Sequence, residues 1–154
     1  MPLGTPAPED RHFMREAHAQ ALISYEAGGV PVGAVMVENG EIIGRGHNRR
    51  VQDANPVSHG ETDCMKNAGR RPDYSGVTMY TTLSPCMMCA GTILQFGISR
   101  VVIGEARNFS GNIEFLSERG VEVALMHDED CIELMSRFIA ERPDLWYEDI
   151  AGNE

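Results

Sequence analysis

Apolar positions follow a helical period at the start of the chain and then change to strand-like runs. From about residue 9 to 26, Phe13, Met14, Ala17, Ala21, Leu22 and Tyr25 share one helical face, and Gly28-Gly29 ends the pattern. Residues 32–37 are an apolar run of strand length, Asn39-Gly40 is a tight-turn pair, and Ile42-Ile43 begins a returning strand, so this region is predicted to be a β-hairpin. The polar stretch 49–57, with Asn55-Pro56, reads as a loop. Ser58-x-x-Glu61 matches a capping box that opens a second helix, which Gly69 closes. A strand is predicted over 77–83. Ser84 as N-cap and Pro85 in the first helical position then start a helix that runs to about Phe96, before Gly97. Beyond it come a strand over 100–104, a short helix over 113–119, a strand over 121–126 and a helix over 130–141. Pro143 breaks the chain before a last turn or two at 145–150.

This order, α-β-β-α-β-α-β-α-β-α-α, sets the fold class. Strands that alternate with helices imply parallel pairing with right-handed crossovers, while the hairpin forces an antiparallel neighbour. The expectation is an α/β fold, a five-stranded mixed sheet between two helical layers. At 154 residues, with no repeats or linker-like tracts, one domain over 1–154 is expected. No apolar run reaches bilayer-spanning length and the N-terminus lacks a signal-peptide pattern, so the expected compartment is the cytoplasm. A net charge of −10 gives no basic footprint for wrapping nucleic acid, which favours a small, uncharged substrate.

The candidate chemistry lies in His59-Gly60-Glu61 and Pro85-Cys86-Met87-Met88-Cys89. His59, Cys86 and Cys89 are three zinc-type ligands at predicted helix starts, where free N–H groups and the helix dipole favour thiolates. Three protein ligands leave a fourth tetrahedral position for water, the mark of a catalytic zinc, and Glu61 is placed to carry that water's proton. The H-x-E…P-C-x-x-C pattern is the signature of zinc-dependent nucleobase deaminases. Taken separately, the two pieces have blander readings. C-x-x-C alone is often a redox pair, H-x-E alone arises by chance, and a closed structural zinc would need a fourth ligand, for which Cys64 is the nearest candidate. Cys64 and Cys131 fall in helical patterns and read as small buried residues. His12, His18, His47 and His127 are not expected to bind metal.

Gly46-His47-Asn48, the segment Tyr80-Thr81-Thr82-Leu83-Ser84-Pro85-Cys86 and the C-terminal stretch from Glu141 to Ile150 (ERPDLWYEDI) resemble the fungal-type cytosine deaminases of the cytidine deaminase superfamily, over about residues 15–150. The resemblance implies one zinc on His59, Cys86 and Cys89, with Glu61 as the proton shuttle. It implies that Asn48 and the Gly60 N–H bind the O2/N1 edge of a pyrimidine, that Phe109 and Trp146 sandwich or cover the ring, and that Val32 lines the floor. The Ser84 carbonyl and Asp149 would lie near the exocyclic amino group. A homodimer with a C-terminal helical cover is also implied. Ser58 departs from the larger apolar residue of the family, which leaves the accepted ring substituents open. The expected function is hydrolytic deamination of a free base, cytosine first. The alternatives are another small heterocycle (guanine, isocytosine or cytidine), a tRNA-editing deaminase, or a non-catalytic zinc or redox module. The bulk of Trp146 and Tyr147 on the cover argues for a bare base over a nucleoside.

Overall fold

A computed structural model describes residues 3–152 of the chain. Its elements are α1 (Pro8–Glu26), β1 (Gly33–Glu38), β2 (Glu41–His47), α2 (Gly60–Ala68), β3 (Thr78–Leu83), α3 (Met87–Phe96), β4 (Arg100–Glu105), α4 (Ile113–Glu118), β5 (Glu122–Leu125), α5 (Glu129–Glu141) and α6 (Pro143–Asp149). The order is the expected one, and most boundaries lie within one or two residues of those predicted. The five strands form one sheet in the order β2-β1-β3-β4-β5. β1 pairs antiparallel with β2 and β3, whereas β3–β4 and β4–β5 are parallel.

Alternation along the central strands divides the core between the two faces of the sheet. Ala34, Met36, Met79, Val101 and Ile103 point to one side and pack with Cys64 of α2 and with Ala90 and Ile93 of α3. Val35, Val37, Tyr80 and Val102 point to the other and pack with Phe13, Met14 and Ala17 of α1 and Cys131 of α5. With helices on both sides, β1, β3 and β4 are buried on both faces, which is why their sequences run almost continuously apolar.

Two predicted caps are displaced. His59, not Ser58, is the N-cap of α2, and Cys86, not Ser84, is the N-cap of α3. Glu61 therefore falls one position short of the third helical residue that a capping box requires. Thr62 occupies that position, and its hydroxyl accepts the His59 N–H at 2.9 Å. Ser84 donates its hydroxyl to the Ser110 carbonyl (2.9 Å) instead of capping a helix.

One buried ion pair fixes α1 on the sheet. Asp10 is fully buried and accepts from Arg100 (2.9 and 2.8 Å), the Tyr80 hydroxyl (2.7 Å) and the Ala7 N–H (2.6 Å). Burial works to raise its pKa, but the Arg100, Tyr80 and Ala7 bonds outweigh it and hold the carboxyl below its usual range. The stability this gives is present above the ordinary carboxylate pKa and is lost as pH falls through the lowered one. Asp10→Ala should cost about 2–3 kcal/mol, because Arg100 and the Tyr80 hydroxyl lose their buried acceptor while Glu122 still pairs with Arg100 Nε. Thermal melts should show a drop of roughly 10 °C near neutrality, with the gap to the parent narrowing below about pH 4. A pH-independent gap would contradict this account.

Candidate active site

Strand directions bring the candidate residues to one end of the sheet. Gly33 pairs with His47, Ala34 with Thr81, and Leu83 with Glu105. The start of β1 and the ends of β2, β3 and β4 therefore lie together, and Val32, Asn48, Ser84 and the 106–112 loop meet there. A crevice beyond the carboxyl ends of parallel strands is where open α/β sheets bind ligands. The cavity found there has a volume of about 490 Å³.

α2 and α3 start at this crevice, and their first turns carry the zinc-type ligands. Nδ1 of His59 lies 3.5 Å from Cys86 Sγ and 3.7 Å from Cys89 Sγ, and the three donor atoms all lie within 4.8 Å of one another. Zn–S bonds of about 2.3 Å and Zn–N bonds of about 2.0 Å at a tetrahedral angle require N···S edges of about 3.5 Å, so the donor set fits zinc in both chemistry and spacing.

The charges of the site are coupled. Cys86 is lowered to about 4: hydrogen bonding from Cys89 favours its thiolate, burial opposes this, and His59 adds to it. The bond to Cys86, together with burial, raises Cys89 well above the usual thiol range. Burial lowers His59, but Cys86, Asp149 and Glu61 outweigh it and raise the imidazole to about 9. Glu61, 4% exposed, is raised to about 7 by burial and by the Cys86 thiolate. A divalent cation on the three ligands opposes that rise.

Val32, Asn48, Glu61, Ser84, Phe109, Trp146 and Asp149 all line the cavity. Gly60 is not part of the lining. It packs behind it, where a Cβ would sit 2.9 Å from the Val32 carbonyl oxygen, so glycine is what allows α2 to approach β1. Ser58 is also outside the lining; its N–H and carbonyl bond Asn55 and Arg49 within the loop. The rings of Phe109 and Trp146 meet edge to face, with centroids 6.0 Å apart at 89°. A ring stacked between parallel faces needs about 7 Å, so these two side chains form a corner that covers the cavity instead of a slot. Tyr147, expected to add bulk to the cover, is 66% exposed and points away.

Sequence reasoning missed several residues that shape the site. Leu83, Met88, Asn112 and Ile150 also line it. Glu105, buried at the end of β4, accepts the N–H groups of Arg107 (2.8 Å) and Asn108 (3.0 Å) and so holds the turn that presents Phe109. Gly111 has φ +64°, and a Cβ there would sit 2.1 Å from Ser84 Oγ, so glycine lets the far end of the same loop approach the residue that follows β3. An acid at a strand end before a polar loop was the available signal for Glu105. Cys64 is fully buried, and its thiol faces the Gly44 carbonyl (3.4 Å), not the ligand cluster.

The family model for the cytidine and deoxycytidylate deaminase zinc-binding region matches residues 7–105. A cytosine deaminase of Candida albicans is 46% identical over 145 residues, 92% of this chain and 97% of that protein. A tRNA-specific adenosine deaminase of Bacillus subtilis is 33% identical over 145 residues, 86% of this chain and 90% of that protein. A solved guanine deaminase from Nitrosomonas europaea shares the fold, with a TM-score of 0.72 at 21% identity over 90% of this chain and 87% of that one. With ligand spacing, site and whole-length likeness in agreement, the chain belongs to the zinc-binding cytidine and deoxycytidylate deaminase family of hydrolytic deaminases.

Proposed function

We propose that the chain converts cytosine and water to uracil and ammonia. The observation that carries this reading is Asp149. Its side chain, 8% exposed, stands on the cavity wall, where Oδ1 has His59 Nε2 at 3.5 Å and Arg50 Nε at 3.7 Å but no donor in hydrogen-bonding geometry among the described residues. An acceptor with charge partners but no hydrogen bond is completed by a donor from the cavity, and an exocyclic amino group is such a donor. Asn48 complements it on the carbonyl side. Its Oδ1 already accepts the Arg50 N–H (2.9 Å), so its amide offers N–H donors, which suit a pyrimidine O2. Phe109, Trp146 and Val32 give the ring apolar surfaces, and the Ser84 carbonyl is a second acceptor for the amino group. The Candida albicans relative, a cytosine deaminase similar over nearly its whole length, supports the choice of base.

His59, Cys86 and Cys89 would hold the zinc, which when bound would supply a Lewis acid that acidifies water. Glu61 takes a proton from the attacking water and delivers it to ring N3. The water oxygen bonds C4, and Glu61 carries the second proton to the amino nitrogen. The C4–N bond breaks, ammonia leaves, and the carbonyl of uracil remains. α6 covers the ring and excludes bulk water during these transfers.

A homodimer in the cytoplasm is part of the same reading. α3 has no charged residue from Met87 to Phe96, yet Met87 is 57% and Phe96 50% exposed, which suits burial against a second copy. Cysteine ligands that must stay reduced suit a reducing compartment.

The test is ammonia release from cytosine, cytidine, isocytosine, guanine and an adenosine-containing tRNA anticodon stem-loop, using enzyme whose solution mass has been measured by light scattering. Cytosine should give the highest kcat/KM, and the mass should be that of two chains. Faster turnover of another substrate would replace cytosine, and a single-chain mass would remove the dimer.

A further inference from the structure

α6 covers the cavity, and little in its own sequence holds it there. Its seven residues are too few for a helix that is stable alone, and its N-cap, Arg142, makes no side-chain capping bond. Contacts with the rest of the fold must therefore set its position. Trp146, Leu145 and Ile150 supply the apolar part, packing with Val30, Leu83 and Phe138. Among the described residues, the ion pairs that tie α6 to another element run through two side chains, His59 and Arg50.

Arg50 stands in the loop between β2 and α2, two residues after Asn48. Its side chain, 19% exposed, reaches across to α6. Nη1 donates to Glu148 Oε1, and Nε lies 3.7 Å from Asp149 Oδ1. Its backbone works on the other side, where the Arg50 N–H donates to Asn48 Oδ1 and turns the amide nitrogen of Asn48 towards the cavity. A single residue thus reaches three groups around one site: the Asn48 amide, the Asp149 carboxylate and Glu148 on the outer surface of the cover.

We propose that Arg50 is a positioning residue that clamps α6 over the cavity and sets Asn48 and Asp149 in register with each other. The proposal rests on the cavity being the substrate site but not on which base enters it. The guanidinium is required because it presents donors at two separated nitrogens, whereas an ammonium is a single point charge. Glu148 is 60% exposed, so the outer arm of the clamp is screened and weak by itself. The clamp therefore biases α6 towards closure without locking it, and substrate and product can still exchange.

Trp146 is the single tryptophan of the chain, it lies on α6, and it is 8% exposed. Its fluorescence reports directly on the cover, with or without turnover. In the zinc-loaded enzyme, Arg50→Ala and Arg50→Lys should red-shift Trp146 and increase its quenching by acrylamide. KM for cytosine should rise roughly 2- to 5-fold, the size expected from losing one partly exposed charged contact, with kcat changed less. Glu148→Gln should reproduce part of the added quenching, and combining it with Arg50→Ala should add nothing further. Added salt should loosen the parent more than Arg50→Ala. Unchanged Trp146 quenching in Arg50→Ala and Glu148→Gln would overturn the clamp, as would a KM effect in Arg50→Ala with Trp146 still protected. Should Arg50→Ala fail to fold, Glu148→Gln and the salt series decide alone. A different preferred substrate would leave the quenching results standing.

Discussion

Glu61→Gln should lower kcat for deamination by at least about 10²–10⁴-fold, the range for loss of a general acid–base group. Glu61 lies in the first turn of α2, two residues after His59, and its carboxylate is buried on the cavity wall. The amide fills the same space but cannot take a proton from water and release it at a ring nitrogen. The substitution should therefore separate chemistry from architecture. Zinc content, measured by atomic emission, should stay at one per chain, and the far-ultraviolet spectrum should be unchanged. Normal turnover with zinc retained would remove Glu61 from the proton path.

Loss of a metal ligand should be at least as severe. Cys86→Ser or Cys89→Ser leaves two soft or borderline donors where three are needed. Activity should fall by more than about 10²-fold, since losses in the outer shell alone cost 10–100-fold. Zinc should fall well below one per chain after dialysis against a chelator, and added zinc should restore the parent but not the variants. Cys64→Ala is the informative contrast. Cys64 is buried with its thiol on the Gly44 carbonyl, so zinc should be retained. Zinc loss in Cys64→Ala would mean four protein ligands, a closed site and no position for water.

The elements were legible because their signals are local. Asn39-Gly40 marks the hairpin turn, and both residues have the positive φ that the turn requires. The glycines after α2 and α3, Gly69 and Gly97, also have positive φ and end their helices. The helix starts were less legible. Ser58 and Ser84 are good caps by propensity, but His59 and Cys86 take those positions because their side chains turn inward at the crevice. Function there overrides local preference.

The covering residues show a different limit. Trp146 and Tyr147 are adjacent in sequence and look equivalent as bulk, yet one is buried against Phe109 and the other is exposed. Successive residues of a helix point about 100° apart, and which of them faces inward depends on how the helix docks. Glu105 and Arg50 were missed for a related reason. Each acts through partners the chain brings near by folding: a loop held by backbone N–H groups in one case, and a helix 98 residues away in the other.

The chain by itself determined the kind of chemistry, because ligand identity and spacing decide which metal can be held and whether a coordination position stays open. It also determined the order of strands and helices, since periodicity and turn residues act over a few positions. Only the tertiary structure decided that β1 and β2 run so that Val32 and Asn48 face Ser84, that Phe109 meets Trp146 at a right angle, and that Arg50 reaches α6. These arrangements depend on strand direction and helix docking, which arise from burying apolar faces across the whole molecule and leave no mark at any single position.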